Sequence, residues 1–348
     1  MTKPVSILYL FPHPMASTLA DVDAGVAPTE RMYGLIELRL SGYRVAICDT
    51  RFTGLLGGLR SRLRRVGVFL LDWNTIRQIA RHDVVIVKDD FSLLATLVAK
   101  MLRKRIVYLD AMFNLPRRSW RRLTARWNIA AADAVLAYSR NQIDLWSRGL
   151  GVAPERFNFV PYTVDTAFYS PVSTSGSHEP YILSVGRDVG RDFTTLVEAV
   201  RGTGLRLKLV TLPYLLPEGA SHESFIEVRE RVSYQELFEL YANAAIVVVP
   251  LGEALFYPSG IRAVLEAALL GKATIATFTP VLEEYMTADQ DITYVPPRDV
   301  EQLRAAILRL MRDPSHRQVL ERNAKSRALR EYGMPALTQH LIAAINST

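Results

Sequence analysis

The sequence predicts an α/β protein of two Rossmann-like domains whose parallel sheets face a central cleft, and three observations carry that prediction. Apolar runs of strand length alternate with helix-length amphipathic segments, and such unbroken runs belong to parallel sheets covered on both faces. The stretch SPVSTSGSHEP (170–180), rich in Ser, Pro and Gly, interrupts the alternation once and reads as a linker. Beyond it the alternation restarts, so two similar halves hang on one linker.

In the first half the strands are SILYLF (6–11), YRVAIC (43–48), DVVIVK (83–88), RIVYLD (105–110) and AVLAYS (134–139). An amphipathic helix is expected over 30–41, a basic helical stretch over 55–73, and the helix SLLATLVAKML over 92–102. The second half reads as strand YILSVG (181–186), helix TTLVEAVRG (194–202), strand RLKLVT (206–211), the run FIEVRE (225–230), helix YQELFELYANA (234–244) and strand AIVVVPL (245–251). A helix through Glu266, the strand ATIAT and a long charged helix pair over 300–330 complete it. No short repeat is present, which excludes a solenoid.

With 348 residues, 49% of them apolar and 22% charged, the chain has enough material for two cores. No run approaches the roughly 18 apolar residues of a membrane span, and MTKPVSILYLFPHP is too short and strand-like in its apolar part for a signal peptide. A cytoplasmic location is therefore expected. The single cysteine, Cys48, excludes an internal disulfide and a cysteine metal site, and within YRVAICD it reads as a small buried hydrophobe.

The net charge of +7 is uneven: residues 1–160 carry 24 Lys and Arg against 13 Asp and Glu, or +11, and the rest carry 18 against 22, or −4. The excess clusters in LRSRLRRVGVFLLDW (59–73) and LPRRSWRRLTARW (115–127). Leu59, Leu63, Val66, Leu70 and Trp73 recur at helical spacing beside Arg60, Arg62, Arg64 and Arg65; Trp120, Leu123 and Trp127 share a face beside Arg117, Arg118, Arg121, Arg122 and Arg126. Such helices suit an anionic membrane interface, to which each basic residue contributes on the order of 1 kcal/mol. The competing reading packs both stripes on the sheet. Nucleic acid is not the expected partner, because no recognition motif is present and the arginines alternate with leucine and tryptophan.

Ligands of open parallel sheets bind at strand carboxyl ends, where helix N-termini offer free amides. SVGRDVGRDF (184–193) follows a strand with glycines and the cations Arg187 and Arg191, which suit phosphate oxygens. Ser259 and Gly260 open the helix that carries Glu266, a carboxylate two turns inside an apolar segment that needs a partner. The triplet from Asp21 to Asp23 precedes a helix and lacks a metal-site context; the six histidines have no ligand spacing, so no metal is expected. His13 follows the first strand and keeps a place near the predicted cleft.

In order along the chain, ADAVLAYSRNQIDLWSRGLGVAPERFNFVPYTVDTAFYSP, ILSVGRDVGRDFTTLVEA, RVSYQELFELYANAAIVVVP, GIRAVLEAALLGKATIAT and DVEQLRAAILRLMRDPSHRQVLERNA resemble the retaining glycosyltransferases of the GT-B fold, family-four type. Phosphatidylinositol mannosyltransferases, sucrose synthases and bacterial polysaccharide enzymes belong to that superfamily. More thinly, GVAPTERMYGLIELRLSGYRVAICD resembles the glycine-rich loop and helix of its first domain, bringing Gly25 and Glu30 toward the acceptor.

The resemblance implies a basic acceptor domain over 1–170, a nucleotide-sugar donor domain over 171–330, and a helix over 331–348 packing back toward the first domain. It implies that Arg187 and Arg191 grip the donor diphosphate, at a spacing one residue short of the family's. Val232, Ser259, Gly260 and Ile261 join the donor site, and Glu266, second of a paired-glutamate motif, bonds the donor ribose. Pro258 stands where the first glutamate of that pair belongs. Asp110 stands where the family often has a catalytic histidine, and is implied to bond the sugar or the acceptor.

The expected activity is retaining transfer from a UDP- or GDP-sugar to a lipid-linked or polysaccharide acceptor at the inner face of the plasma membrane, with no cofactor and no metal. Two alternatives stand beside it: an inactive relative acting as a binding subunit, and a nucleotide-sugar epimerase of the same fold.

Overall fold

The computed structural model describes residues 4–49, 71–169, 179–252 and 257–346. Two six-stranded parallel sheets organise it, one in each of two compact units: residues 1–163 with 334–348, and residues 164–333.

In unit 1 the strands are β1 (Ser6–Phe11), β2 (Arg44–Asp49), β3 (Val84–Lys88), β4 (Arg105–Leu109), β5 (Ala134–Ala137) and β6 (Asn158–Phe159), in the order β2-β1-β3-β4-β5-β6. Every residue of β1 and β3 is buried, as unbroken apolar runs covered on both faces require. Their helices are α1 (Ala16–Asp23), α2 (Leu35–Leu40), α3 (Trp73–Arg81), α4 (Leu93–Met101), α5 (Ser119–Ala131) and α6 (Arg140–Leu150). Side-chain caps fix where three of them start: Asp72 accepts from the Thr75 amide, Ser92 from Ala95 and Ser139 from Gln142. The helix expected over 30–41 is shorter. Tyr33 (φ 53) and Gly34 (φ 83) take left-handed backbone, so a single 3-10 turn over Thr29–Met32 precedes α2.

Unit 2 holds β7 (Tyr181–Val185), β8 (Arg206–Val210), β9 (Ile226–Arg229), β10 (Ala244–Val249), β11 (Thr274–Thr277) and β12 (Thr293–Val295), in the order β12-β11-β10-β7-β8-β9. Its helices are α7 (Phe193–Val200), α8 (Tyr234–Asn243), α9 (Ile261–Leu269), the short α10 (Pro280–Glu283), α11 (Val300–Arg312) and α12 (Pro314–Glu331). Strands β6 and β12 are additions to the sequence reading; both are two- or three-residue edge pieces with too few residues for a pattern.

The chain re-enters unit 1 as α13 (Met334–Asn346). Its side chains close over α2 so tightly that a Cβ on Gly34 would lie 2.4 Å from a Leu341 methyl. Arg105, from the start of β4, donates to the carbonyl of Ile345 at 2.6 Å, answering a helix end that has no internal partner. The passage out, at Val164, and the passage back, at Tyr332, lie side by side: the Val164 amide donates to the Tyr332 carbonyl at 2.8 Å.

Each sheet reverses strand order once. In unit 1 the reversal lies between β1 and β3, and in unit 2 between β10 and β7, so the crevices expected to take ligands lie beyond the carboxyl ends of those pairs.

Candidate active site

At the unit 2 switch point the loop after β7 is tied to the segment after β10. Gly252 donates to the Gly190 carbonyl at 2.9 Å, Asp192 donates to the Pro250 carbonyl at 3.2 Å, and Arg191 bridges Leu251. The Arg191 side chain is 5% exposed. It folds back over Gly186, where an added Cβ would lie 2.1 Å from its Nε, so only glycine leaves room for the guanidinium. Nε donates to Asp188 Oδ2 at 3.0 Å, while Nη1 is buried with no hydrogen-bond partner. An unpaired, desolvated guanidinium nitrogen is costly alone and well placed for an anion.

Asp188 was not singled out by the sequence reading. Its Oδ1 accepts from the Ser259 hydroxyl at 2.8 Å and from the Gly190 amide at 3.1 Å, so one carboxylate couples the Arg191 loop to the start of α9. Gly260 caps α9 at φ 82 with no side chain bonding the first-turn amides. Ile261 is fully buried, anchoring that first turn in the core. Arg191, Ser259, Gly260 and Ile261 therefore belong to one locus. Arg187 lies on the same loop with its side chain exposed, and Val232 is half-buried in the loop before α8.

Glu266 finds its partners within the protein. Buried at 3% exposure, its Oε1 accepts from Tyr169 at 2.9 Å and Arg262 Nε at 2.8 Å, and its Oε2 accepts from Tyr241 at 3.2 Å. Three donors thus answer the carboxylate from within unit 2, and Arg262 binds Tyr234 at 2.8 Å as well. The Arg262–Glu266 spacing of four was visible in the sequence as a helical ion pair.

Unit 1 has a different chemistry at its own switch point. Lys88 ends β3 at 2% exposure, and its ammonium donates to Asp110 Oδ2 at 2.9 Å and to Asp89. The Tyr33 ring covers it at 4.2 Å. Burial alone would lower the Lys88 pKa, but Asp110, Tyr33 and Asp89 outweigh it and hold the group charged. At Asp110 burial wins instead and pushes the carboxyl up to about 6, with Lys88 opposing and Asp89 assisting. Its Oδ1 is buried without a hydrogen-bond partner. Tyr138, fully buried beside this group, has its phenol pushed well above its ordinary value by burial and by the Asp110 charge.

Of the remaining candidates, His13 and Gly25 are exposed and Glu30 is buried at 3% in the 3-10 turn. The stripe on α5 does not pack on the sheet, since Ala125, Asn128 and Ile129 do that, leaving Trp120 40%, Leu123 68% and Trp127 38% exposed. Arg117, Arg118 and Arg126 are exposed with them, and Arg121 lies 5.5 Å from the Trp120 ring. Arg122 is a correction to the membrane-facing set, because it turns inward to the Gly149 carbonyl. Arg60, Arg62, Arg64 and Arg65 lie outside the described residues. Among those described, no group of three His, Cys, Asp or Glu residues is arranged to hold a metal, and no helix is long and apolar enough to cross a membrane.

Residues 180–313 match the family model described as "Glycosyl transferases group 1". The chain carries a glycosyltransferase domain. The whole chain is similar in fold to a glycosyltransferase from Rickettsia africae, at 15% identity and a TM-score of 0.75 over 99% of this chain and 100% of that one. It is similar to Anabaena HepE, solved in complex with UDP and glucose, at 16% identity and a TM-score of 0.69 over 98% and 99%. Sucrose-phosphate synthase from Thermosynechococcus elongatus gives 16% and 0.70 over 97% of both chains. No curated protein matches the chain by sequence. The fold is GT-B, and the activity class is glycosyl transfer.

Proposed function

We propose that this GT-B glycosyltransferase moves a sugar from a UDP- or GDP-sugar, with retained anomeric configuration, to a lipid-linked or polysaccharide acceptor at an anionic membrane face. The observation that carries the donor side is the Arg191 guanidinium, buried over Gly186 with Nη1 unpaired, beside the uncapped first turn of α9 at the unit 2 switch point. A diphosphate supplies what both lack: negative oxygens for the free N–H groups and for the positive helix end. Arg187, exposed on the same loop, supplies a second cation. These groups stabilise charge developing on the departing nucleoside diphosphate, a role that asks for neither metal nor cofactor. Retention rests on the family resemblance, and proton NMR of the first-formed product decides it: an inverted anomer ends that part of the reading.

HepE, a neighbour in fold, was solved with UDP-glucose, which favours the nucleotide-sugar class. Thermal-shift titration with UDP and GDP tests the donor site. Stabilisation by one of them, lost in Arg191→Ala, is the expected result; no response to either leaves the inactive-relative reading in its place.

The membrane side rests on Trp120, Leu123 and Trp127 standing exposed among arginines on α5. Flotation with vesicles containing phosphatidylglycerol should recover the protein at low salt and release it at high salt. Sedimentation away from the vesicles at low salt excludes this placement.

A further inference from the structure

Exposed apolar side chains gather on one layer of unit 1. Of the sixteen large ones among the described residues, nine fall between Trp73 and Trp127. Right-handed crossovers from β2 through β5 place α3, α4 and α5 on the same face of the sheet, where Ile79, Ala95, Ala99, Ala125 and Ile129 share one core. Thr96 donates to Asn128 at 2.7 Å and fixes α4 beside α5, with Leu93, Leu97 and Met101 turned outward at a spacing of four. Among the described residues of α2 and α13, on the other face, Leu40 alone is a large apolar side chain left exposed. A patch confined to one layer marks a surface that meets something other than water.

Part of this patch borders the unit 1 crevice. Trp73 and Leu93 are the first residues of α3 and α4, Trp120 is the second of α5, and Phe113 lies between β4 and α5. Helix N-termini of a parallel sheet stand at the carboxyl ends of its strands, so these four exposed side chains form a row along the mouth where a ligand is received. Charge around the row has one sign. Helices α3, α4 and α5 contain no Asp or Glu, whereas Arg77, Arg81, Arg117, Arg118 and Arg126 are exposed on or just before them. The nearest acids are engaged with backbone: Asp72 accepts from the Thr75 amide at 2.6 Å and Asp90 from the Phe91 amide at 2.8 Å. Tryptophan and leucine backed by arginine are complementary to anionic headgroups lying over acyl chains.

We propose that the row Trp73, Leu93, Phe113 and Trp120 seats among lipid headgroups, and that the acceptor sugar reaches the unit 1 crevice across it on an amphiphile with an apolar chain rather than on a free glycan. This rests on the glycosyl-transfer and membrane readings above and narrows the two acceptor classes left open there to one. A chain leaving the bilayer for the crevice crosses apolar side chains, so its methylenes stay out of water on the way. A free glycan gains nothing from such a row, because its hydroxyls ask for hydrogen-bond partners that Trp73, Leu93, Phe113 and Trp120 supply sparsely. Arg117 and Arg118, exposed just before α5, stand next to Trp120 in the chain for the phosphates of the headgroups.

Two measurements on the full chain test this. The chain has four tryptophans and Trp146 is buried, so quenching by dibrominated phosphatidylcholine in vesicles containing phosphatidylglycerol reports on Trp73, Trp120 and Trp127. Trp73→Phe combined with Trp120→Phe should remove most of that quenching while vesicle binding persists. Vesicle binding with quenching unchanged in the double variant removes the row and leaves the membrane reading standing; no vesicle binding removes both, and UDP stabilisation reports on the donor reading separately. For the acceptor, saturation-transfer NMR without vesicles compares octyl with methyl glycosides of glucose, galactose and mannose, below the concentrations at which the octyl compounds form micelles. At least one octyl glycoside should bind about tenfold tighter than its methyl partner, the gain from burying about two methylenes. Leu93→Gln combined with Phe113→Gln should bring that ratio toward one at an unchanged urea midpoint, which shows that the variant is folded. Equal binding within every pair, no binding of any octyl glycoside, or an octyl preference untouched by these two substitutions overturns the proposal.

Discussion

The two switch points lie in parallel sheets of different strand order and carry opposite chemistry. In unit 2, glycine at 186 and an uncapped helix leave cationic N–H groups short of acceptors; in unit 1, lysine at 88 leaves a carboxylate oxygen short of a donor. Topology thus sets where a ligand is received, and a few side chains at strand ends set which charge is welcome. The difference also shows in how each unpaired group is kept in place. Arg191 is held by a close approach to backbone, which one added carbon would undo, while Asp110 is held by an ion pair inside left-handed turns.

The largest expected effect breaks the unit 1 side. Lys88→Met leaves two carboxylates without their cation and should cost about 3–5 kcal/mol of stability at pH 7.5, read from urea unfolding. A change below 1 kcal/mol would mean that the ion pair does not hold this edge together. Next, Arg191→Ala should lower transfer about 100- to 1000-fold, the usual loss when one fixed donor to a developing anion is removed. Unaltered turnover would take Arg191 out of the mechanism.

Gly186→Ala sharpens the same point without touching charge. Its methyl must displace the guanidinium from a 2.1 Å contact, so nucleotide affinity should fall about tenfold or more while the protein stays folded. Equal affinity for the nucleotide would show that the Arg191 pose is not the binding pose.

The smallest effect is a pH slope. Because the folded-state pKa of Asp110 is raised from 3.8 to about 6, the native state binds the extra proton between those values. Stability from this group is therefore gained as pH falls through about 6 and is absent above it, a difference of about 1 kcal/mol between pH 5 and 7.5. Urea midpoints of wild type and Asp110→Asn at both pH values measure it, and parallel slopes would refute the raised pKa.

Much of this contrast could be read from the chain before any coordinates. Alternating apolar runs gave both sheets, and SVGRDVGRDF with Ser259 and Gly260 marked the unit 2 locus because glycines and cations after a strand have a local signature. Lys88 had none. At the end of VVIVK it looks like a surface cation closing a strand, and only the adjacency of β3 and β4 brings Asp110 against it. Asp188 escaped notice for a similar reason, since its link to Ser259 spans 71 positions. Glu266 was rightly flagged as needing a partner, but two of the three donors, Tyr169 and Tyr241, are 97 and 25 residues away, beyond the reach of any spacing rule.

The return of α13 to unit 1 has a consequence for biosynthesis. Leu341 seals Gly34 and α2, and Ile345 accepts from Arg105, so the unit begun first on the ribosome is completed only after residues 164–333 have emerged. Until then the nascent chain lacks the Leu337 and Leu341 side chains that pack at Gly34, and this edge of α2 stays uncovered. Chaperones that shield hydrophobic surface should therefore engage this protein late in translation, and a stop codon before Met334 should yield an aggregating product even though both sheets are encoded in full.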